Sequence, residues 1–188
     1  QISSGVVEIY STGSSFAALK DDGGVVAWGH SDYGGDSSSV AEKLTSKVKA
    51  IFTTNAAYAA LKEDGSIATW GNVDYGGDSS VVSENLSSDV INVFANGGAF
   101  AALKQDGSVV TWGNADYGGD SSVVSENLSS DVVTIFPNTF YAFAALKKDG
   151  SVVTWGHKDY GGDSSAVVNQ LSSNVVEIFT SDGAFAAL

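Results

Sequence analysis

The sequence predicts an all-β repeat fold, a partial β-propeller, and the main sign of it is one phrase that occurs four times in 188 residues. Each copy runs from Trp-Gly through Asp-Tyr-Gly-Gly-Asp-Ser, and the copies begin at Trp28, Trp70, Trp112 and Trp155, which stand 42, 42 and 43 residues apart. A fixed period of this size is typical of proteins in which each repeat is one supersecondary unit that buries its apolar face against the next.

Three short strands are predicted in every repeat. The first is a β-branched and aromatic run, as in residues 6–10, and the second is apolar on both faces, as in residues 16–19. An Asp-Gly pair then predicts a type I′ hairpin turn, which needs positive φ at both central residues. The third strand covers residues 108–112 and their equivalents. Short antiparallel strands at this density predict propeller blades.

The rest of each repeat is a glycine-rich loop, a predicted fourth strand near residues 79–82, and a polar connector or single helical turn over 83–89. A β-solenoid stack is the alternative fold, although its parallel strands do not need a tight Asp-Gly hairpin. Because the last residues repeat the first, we expect a piece of a longer array. The chain is one domain of repeats, with approximate units 6–47, 48–89, 90–131, 132–174 and a partial unit 175–188.

The tryptophans are the predicted centres of the core. Each should pack between successive sheets, because a propeller blade buries both faces of its sheet. Small residues on the second strand would let the sheets approach closely, and they are Ala17, Ala59, Ala101 and Ala144.

The whole unit resembles the regulator-of-chromosome-condensation repeat. The resemblance rests on a Phe-Ala-Ala-Leu strand, an Asp-Gly turn, a strand that ends in Trp-Gly and a Tyr-Gly loop, which recur in register along the chain. The short period is similar to that of bacterial short-blade members such as a secreted β-lactamase inhibitory propeller. The resemblance implies a seven-bladed ring, of which this chain covers just over half, and a propeller face that binds a protein.

Composition narrows the classes of partner. The formal net charge is −13 with only nine basic residues, which argues against nucleic acid as a partner, because that binding depends on basic clusters. No apolar run approaches the roughly 18 residues that span a bilayer, so membrane insertion is not expected. Cysteine is absent, so the chain has no disulfide and no thiolate ligand for a metal.

Two sets of polar residues are candidates for chemistry. His30 and His157 stand where the middle repeats have Asn72 and Asn114, which favours a turn residue that makes a local hydrogen bond over a catalytic base. A pair of aspartates flanks Tyr-Gly-Gly in each repeat, and their oxygens suit Ca²⁺, although Asp beside Gly is also ordinary turn chemistry. These calcium candidates are Asp32, Asp36, Asp74, Asp78, Asp116, Asp120, Asp159 and Asp163.

The sameness of the repeats argues against an enzyme. Residues 71–90 and 113–132 differ only at Val73 and Ala115, even in segments expected to be exposed, whereas an active site needs different residues from different blades. The sequence therefore predicts no catalytic residue and no cofactor. It favours a structural or adhesive protein, extracellular or on the cell surface, whose partners are proteins or further copies of itself within a longer chain or homo-oligomer.

The alternative is a protein-binding propeller module such as an enzyme inhibitor. An inhibitor should carry a local cluster of exposed aromatic residues, because binding hot spots are local. The one irregular segment, residues 137–141, contains Phe140 and Tyr141 and keeps this alternative open.

Overall fold

The computed structural model describes residues 4–188, which form five antiparallel sheets in chain order. Residues 1–3 of the predicted array lie outside the described residues. The strands are β1 (Val6–Ser11), β2 (Ser15–Lys20) and β3 (Val25–Gly29) in sheet 1; β4 (Val48–Thr53), β5 (Ala57–Lys62) and β6 (Ile67–Gly71) in sheet 2; β7 (Val90–Ala95), β8 (Ala99–Lys104) and β9 (Val109–Gly113) in sheet 3; β10 (Val132–Pro137), β11 (Ala142–Lys147) and β12 (Val152–Gly156) in sheet 4; and β13 (Ile178–Thr180) and β14 (Phe185–Ala187) in sheet 5.

The predicted three-stranded unit is confirmed. Each sheet follows chain order, and every strand pairing among the described residues is antiparallel, which rules out the β-solenoid stack. The paired alanines of each complete middle strand are fully buried, as the two-sided apolar pattern predicts. The first strand of sheets 1 to 4 carries a register shift near its start, between Val90 and Asn92 in sheet 3.

The type I′ turn was a wrong prediction. In sheet 3 the Gly107 N–H donates to the Lys104 carbonyl, and the Lys104 N–H donates to the Ser108 carbonyl. Only Gly107 has positive φ (81°), so the loop has three residues, with a left-handed glycine as the third. The Asp106 carboxylate accepts the Ser108 N–H at 2.9 Å. This bond stabilises the turn while Asp106 itself keeps negative φ.

The predicted fourth strand was also wrong, because residues 80–82 form a 3₁₀ turn. The Asp78 carboxylate accepts the Ser80 N–H at 2.8 Å, and the Val82 N–H donates to the Ser79 carbonyl. Short polar side chains that bond the local backbone compete with strand pairing. The connector then makes one helical turn, buries Leu86, and covers the outer edge of β6 through a bond from the Ile67 N–H to the Leu86 carbonyl.

The cores lie between successive sheets, and three of them are built around a tryptophan. Among the described residues, the cluster between sheets 4 and 5 contains none. Trp112 is 4% exposed and clusters with Ala59 of the preceding sheet, and its Nε1–H donates to the Gly76 carbonyl at 3.1 Å. A Cβ on Gly76 would lie 2.7 Å from the ring of Phe100, so only glycine allows this approach. Trp70 and Trp155 repeat the arrangement with Ala17 and Ala101 of the sheets before them. The packing prediction is therefore confirmed for these three tryptophans.

The strands of every sheet end on two opposite sides of the array. The Asp-Gly turns lie on one side, here called the hairpin edge, and the loops between first and second strands lie on the other side, here called the tyrosine edge. At the tyrosine edge these loops are joined from sheet to sheet by backbone bonds, for example from the Asn55 N–H to the Gly97 carbonyl and from the Gly97 N–H to the Phe140 carbonyl. Corresponding loops of different repeats are thereby held side by side.

Candidate interaction surface

Four 3₁₀ turns that end in tyrosine occupy the tyrosine edge, and we call them the tyrosine turns. Each begins after Trp-Gly with a side chain that accepts the N–H two residues ahead, through His Nδ1 or through Asn Oδ1. His30 and Asn114, for example, accept the Asp32 and Asp116 N–H groups at 3.2 and 3.0 Å. The exchange of His and Asn in the sequence thus reflects one capping role. The turns are Ser31–Tyr33, Val73–Tyr75, Ala115–Tyr117 and Lys158–Tyr160.

Polar side chains in the neighbouring loops hold the tyrosine turns in place. The Asn96 Nδ2–H donates to the Tyr117 carbonyl at 2.7 Å, while its Oδ1 accepts the N–H groups of Gly98 and Ala99. Thr12, Thr54 and Asn138 make the equivalent bond to the tyrosine carbonyl of their own repeat. The sequence analysis missed these residues, although a Thr or Asn at one repeat position was the available signal.

The loop of sheet 4 departs from this pattern. In sheet 3 a Cβ on Gly98 would lie 2.6 Å from the Tyr117 ring, so the tyrosine covers that position. Sheet 4 has one extra residue in the loop, and Tyr141 takes the place of that glycine. Its ring stacks on Tyr117 with centroids 3.8 Å apart and meets Tyr160 edge-on at 5.1 Å.

These rings form one continuous patch, here called the aromatic surface. Phe140 lies 5.7 Å from both Tyr141 and Tyr160, and His157 lies 5.0 Å from Tyr160. Phe140 is 38% exposed and the other rings are half-buried. The sequence singled out Phe140 and Tyr141 but did not show which rings join them. The members are Tyr117, Phe140, Tyr141, His157 and Tyr160.

The surroundings of Tyr117 disfavour ionisation of its hydroxyl. Loss of hydration raises the pKa of Tyr117, and the neighbouring Tyr141, Tyr75 and Asp116 raise it further. The Tyr117 hydroxyl therefore stays protonated at neutral pH and is a hydrogen-bond donor at the surface.

The aspartate pairs divide into two roles. The second member of each pair accepts the N–H of the serine two residues ahead, and this bond lowers the pKa of Asp36, Asp120 and Asp163. The first member lies exposed in a tyrosine turn. Among residues 4–188 no three His, Cys, Asp or Glu side chains are placed to hold a metal ion together. Calcium binding stays a prediction from the sequence.

The structure does not bring the two histidines together. His30 lies in the first repeat and His157 in the fourth, and each accepts a local N–H through Nδ1.

Within the described part of the chain no helix is long and apolar enough to cross a membrane. The arrangement at the tyrosine edge can offer aromatic faces, phenol donors and exposed carboxylates to a partner.

The class of fold is a β-propeller array of the RCC1 type. It is defined by the three-stranded sheets, by the tryptophans packed between them and by the loops of the tyrosine edge. Comparison with solved structures supports this class. The chain is similar to yeast RCC1 (Prp20) in its complex with Kap60, with 17% identity and a TM-score of 0.58 over 94% of this chain and 52% of that chain. Prp20p from Saccharomyces cerevisiae gives 18% identity and a TM-score of 0.58, over 94% of this chain and 53% of that chain.

A third similar structure is the CRINKLY WD40 ectodomain of the Arabidopsis thaliana receptor kinase ACR4. It gives 14% identity and a TM-score of 0.54, and the match covers 94% of this chain and 58% of that chain. The chain thus spans about half the length of these propellers. No protein family matches the chain, and no curated protein matches it. At these identities the likeness concerns the fold.

Proposed function

We propose that the chain is a non-catalytic protein-binding module whose contact site is the aromatic surface. The observation that carries this proposal is that Phe140 and Tyr141 join Tyr117, Tyr160 and the capping His157 in one partly exposed patch. Aromatic residues dominate the energetics of protein interfaces, because they bury a large area at a small cost in conformational entropy. The corresponding loops of sheets 1 to 3 have Gly13, Asn55 and Gly97 where Phe140 stands, so the patch is specific to one region of the array.

The fold of the similar structures agrees with a binding role. One of them was crystallised with Kap60, and another was studied for its binding to Gsp1p and histones. The resemblance to secreted short-blade propellers further supports an extracellular module, of which an enzyme inhibitor is one form. In that case the aromatic surface would fill a groove or pocket of the target protein.

The experiment uses a loop from the chain itself as the control. Replacing Asn138–Tyr141 by Asn-Gly-Gly copies the loop of sheet 3 and removes two aromatic rings without a change of charge. A random peptide library is displayed and panned on the wild type and on this variant. We expect peptides that the wild type retains and the variant loses, while both proteins unfold at similar temperatures. Peptides retained equally by both proteins would contradict the proposal.

A second candidate, the adhesive or structural array, is favoured by a different observation. Val81 is 98% exposed and Val123 is 97% exposed, at equivalent positions of nearly identical loops. Repeated apolar contacts on one array can add up through effective concentration, although each contact is weak. Sedimentation at increasing concentration tests it, because the wild type should self-associate and V81S/V123S should not.

A further inference from the structure

The exposed charges of the tyrosine edge are almost all negative. Every tyrosine turn carries an aspartate directly before its tyrosine, and the loop between the two strands of sheet 5, on the same side of the array, carries Asp182. These side chains are all exposed, and Lys158 is the basic residue that shares a tyrosine turn with them. The aspartates are Asp32, Asp74, Asp116, Asp159 and Asp182.

The Asp-Gly turns of the hairpin edge are close to balanced in charge, with six acidic residues against five lysines. These acidic residues lie among lysines that stand next to the Asp-Gly turns, and both ion pairs found within residues 4–188 are at this edge. They join Lys20 to Asp22 and Lys148 to Asp131, each at 3.2 Å. The excess negative charge is therefore concentrated on the edge that carries the aromatic surface. The lysines beside the turns are Lys20, Lys62, Lys104, Lys147 and Lys148.

The chemistry of the tyrosine edge favours a positively charged partner. The faces of aromatic rings attract cations, and Arg and Lys are the side chains that use this attraction in proteins. Asp116 and Asp159 stand directly before Tyr117 and Tyr160, so carboxylates flank the rings and can accept hydrogen bonds from a guanidinium or ammonium group. An acidic partner would instead meet repulsion from the aspartates and from the net charge of −13.

We infer that the aromatic surface binds a protein segment rich in Arg or Lys, whose cationic side chains lie on the rings of Tyr117, Tyr141 and Tyr160 between the flanking aspartates. This inference rests on the proposed binding function and adds the chemical class of the partner. Approach of such a segment is accelerated by the negative field of the whole edge, whereas the rings provide the contacts that hold it.

The test measures the affinity of short labelled peptides by fluorescence anisotropy at about 0.15 M ionic strength, where charges farther apart than about 8 Å are largely screened. The probes alternate Gly with Arg, Lys, Glu or Ser. The Arg and Lys peptides should bind, and the Glu and Ser peptides should not. Equal binding of the Ser peptide, or preference for the Glu peptide, would overturn the inference.

Four variants separate a specific site from general attraction by an acidic protein. The sheet 3 loop replacement should weaken binding of the Arg peptide about tenfold, because it removes two aromatic contacts. If the loop replacement does not fold, Phe140→Asn, which copies Asn55 of sheet 2, takes its place. Its expected loss of affinity is smaller, because it removes one ring. D116N/D159N should weaken binding several-fold, while D106N/D149N removes the same charge from the hairpin edge and should change it by less than about twofold. Equal losses in the two double variants would overturn the inference.

Peptide panning distinguishes this inference from the function on which it rests. Sequences that depend on the aromatic surface and are enriched in Arg or Lys support both. Sequences that depend on the aromatic surface but are acidic or neutral leave the binding function standing and overturn the cationic partner. If no sequence depends on the aromatic surface, the binding function itself fails.

Discussion

Sheets 1 and 3 carry the same aromatic pair in the same geometry, yet the pair has very different surroundings. Phe16 stacks on Trp28 with centroids 5.6 Å apart and planes 21° apart, and Phe100 stacks on Trp112 at 5.1 Å and 20°. Phe16 is 46% exposed, whereas Phe100 is fully buried. Strand pairing within one sheet therefore sets the stacking, and it does not set the burial.

The sheet that comes before supplies the burial. Gly76, at the end of the sheet 2 tyrosine turn, packs on the Phe100 ring and accepts a hydrogen bond from the Trp112 indole. No sheet precedes sheet 1 in the described structure, so Trp28 is only half-buried. One repeat thus completes the core of the next, as expected for an array stabilised by nearest-neighbour interfaces.

Replacing the two tryptophans one at a time should show the largest effect. We expect Trp112→Ala to lower the free energy of unfolding by about 3–5 kcal/mol, the usual cost of deleting a buried large aromatic side chain. Trp28→Ala should cost about 1–2 kcal/mol, because part of its surface is already in water. Urea unfolding followed by circular dichroism measures both. Equal losses would show that burial by the preceding sheet contributes little to stability.

The hairpin turns give a second comparison between sheet 1 and the others. Sheet 1 has Gly24 where sheets 2 to 4 have serine, and Ser108 donates its hydroxyl to Asp106 at 2.6 Å. Gly24→Ser restricts the unfolded state and adds this bond, although its Cβ would lie 3.1 Å from the Thr45 carbonyl oxygen, so we expect it to stabilise the chain by about 0.5 kcal/mol at most. Ser108→Gly, the reverse change, should destabilise by a similar amount. Thermal unfolding measures both, and a loss of stability in Gly24→Ser would contradict the equivalence of the turns.

Acidification tests the same turns and should give the smallest effect. Hydrogen bonds from the serine hydroxyl and N–H lower the pKa of Asp64, Asp106 and Asp149. In sheet 1, which has no serine at this position, the hydrogen bond from the Gly24 N–H is the main cause of the lowered pKa of Asp22. A lowered folded-state pKa contributes stability that is complete above the ordinary carboxyl pKa and is lost as the pH falls through the folded value. Stability should therefore fall below about pH 4.

The triple variant D64N/D106N/D149N checks this. Asparagine keeps an oxygen that can accept the backbone N–H but does not titrate, so the loss of stability on acidification should be shallower than in the wild type. Denaturant midpoints measured over the acidic range give the comparison. Parallel pH profiles of variant and wild type would show that other carboxylates cause the acid sensitivity.

Strand positions and the order of each sheet could be predicted because they depend on near neighbours in the chain. The two errors arose where side chains bond the local backbone. Asp78 draws the Ser80 N–H into a 3₁₀ turn in place of a strand, and Asp106 with Gly107 selects a three-residue hairpin loop. Both aspartates were visible in the sequence, but the choice among local bonds depended on the backbone around them.

The candidate site was predictable only in part. The sequence marked Phe140 and Tyr141 because they interrupt a repeat, and it could not show that they meet Tyr117 from another sheet. That contact joins two loops of different sheets, and the two tyrosines are 24 residues apart in the chain. The bonds from Asn96 and Asn138 to tyrosine carbonyls lie within one repeat, but they join residues 21 and 22 positions apart, and only the folded loops show that these groups meet.

By itself, the sequence determined the repeat, its strands, its acidic character and the tryptophans at the centre of each unit, because periodicity and composition are properties of the chain. Only the tertiary structure decided which tryptophans are buried, which edge concentrates the negative charge and which rings form one surface. Those properties depend on a neighbouring sheet or a neighbouring loop. The similar repeats of this chain therefore acquire different surroundings from their places in the array.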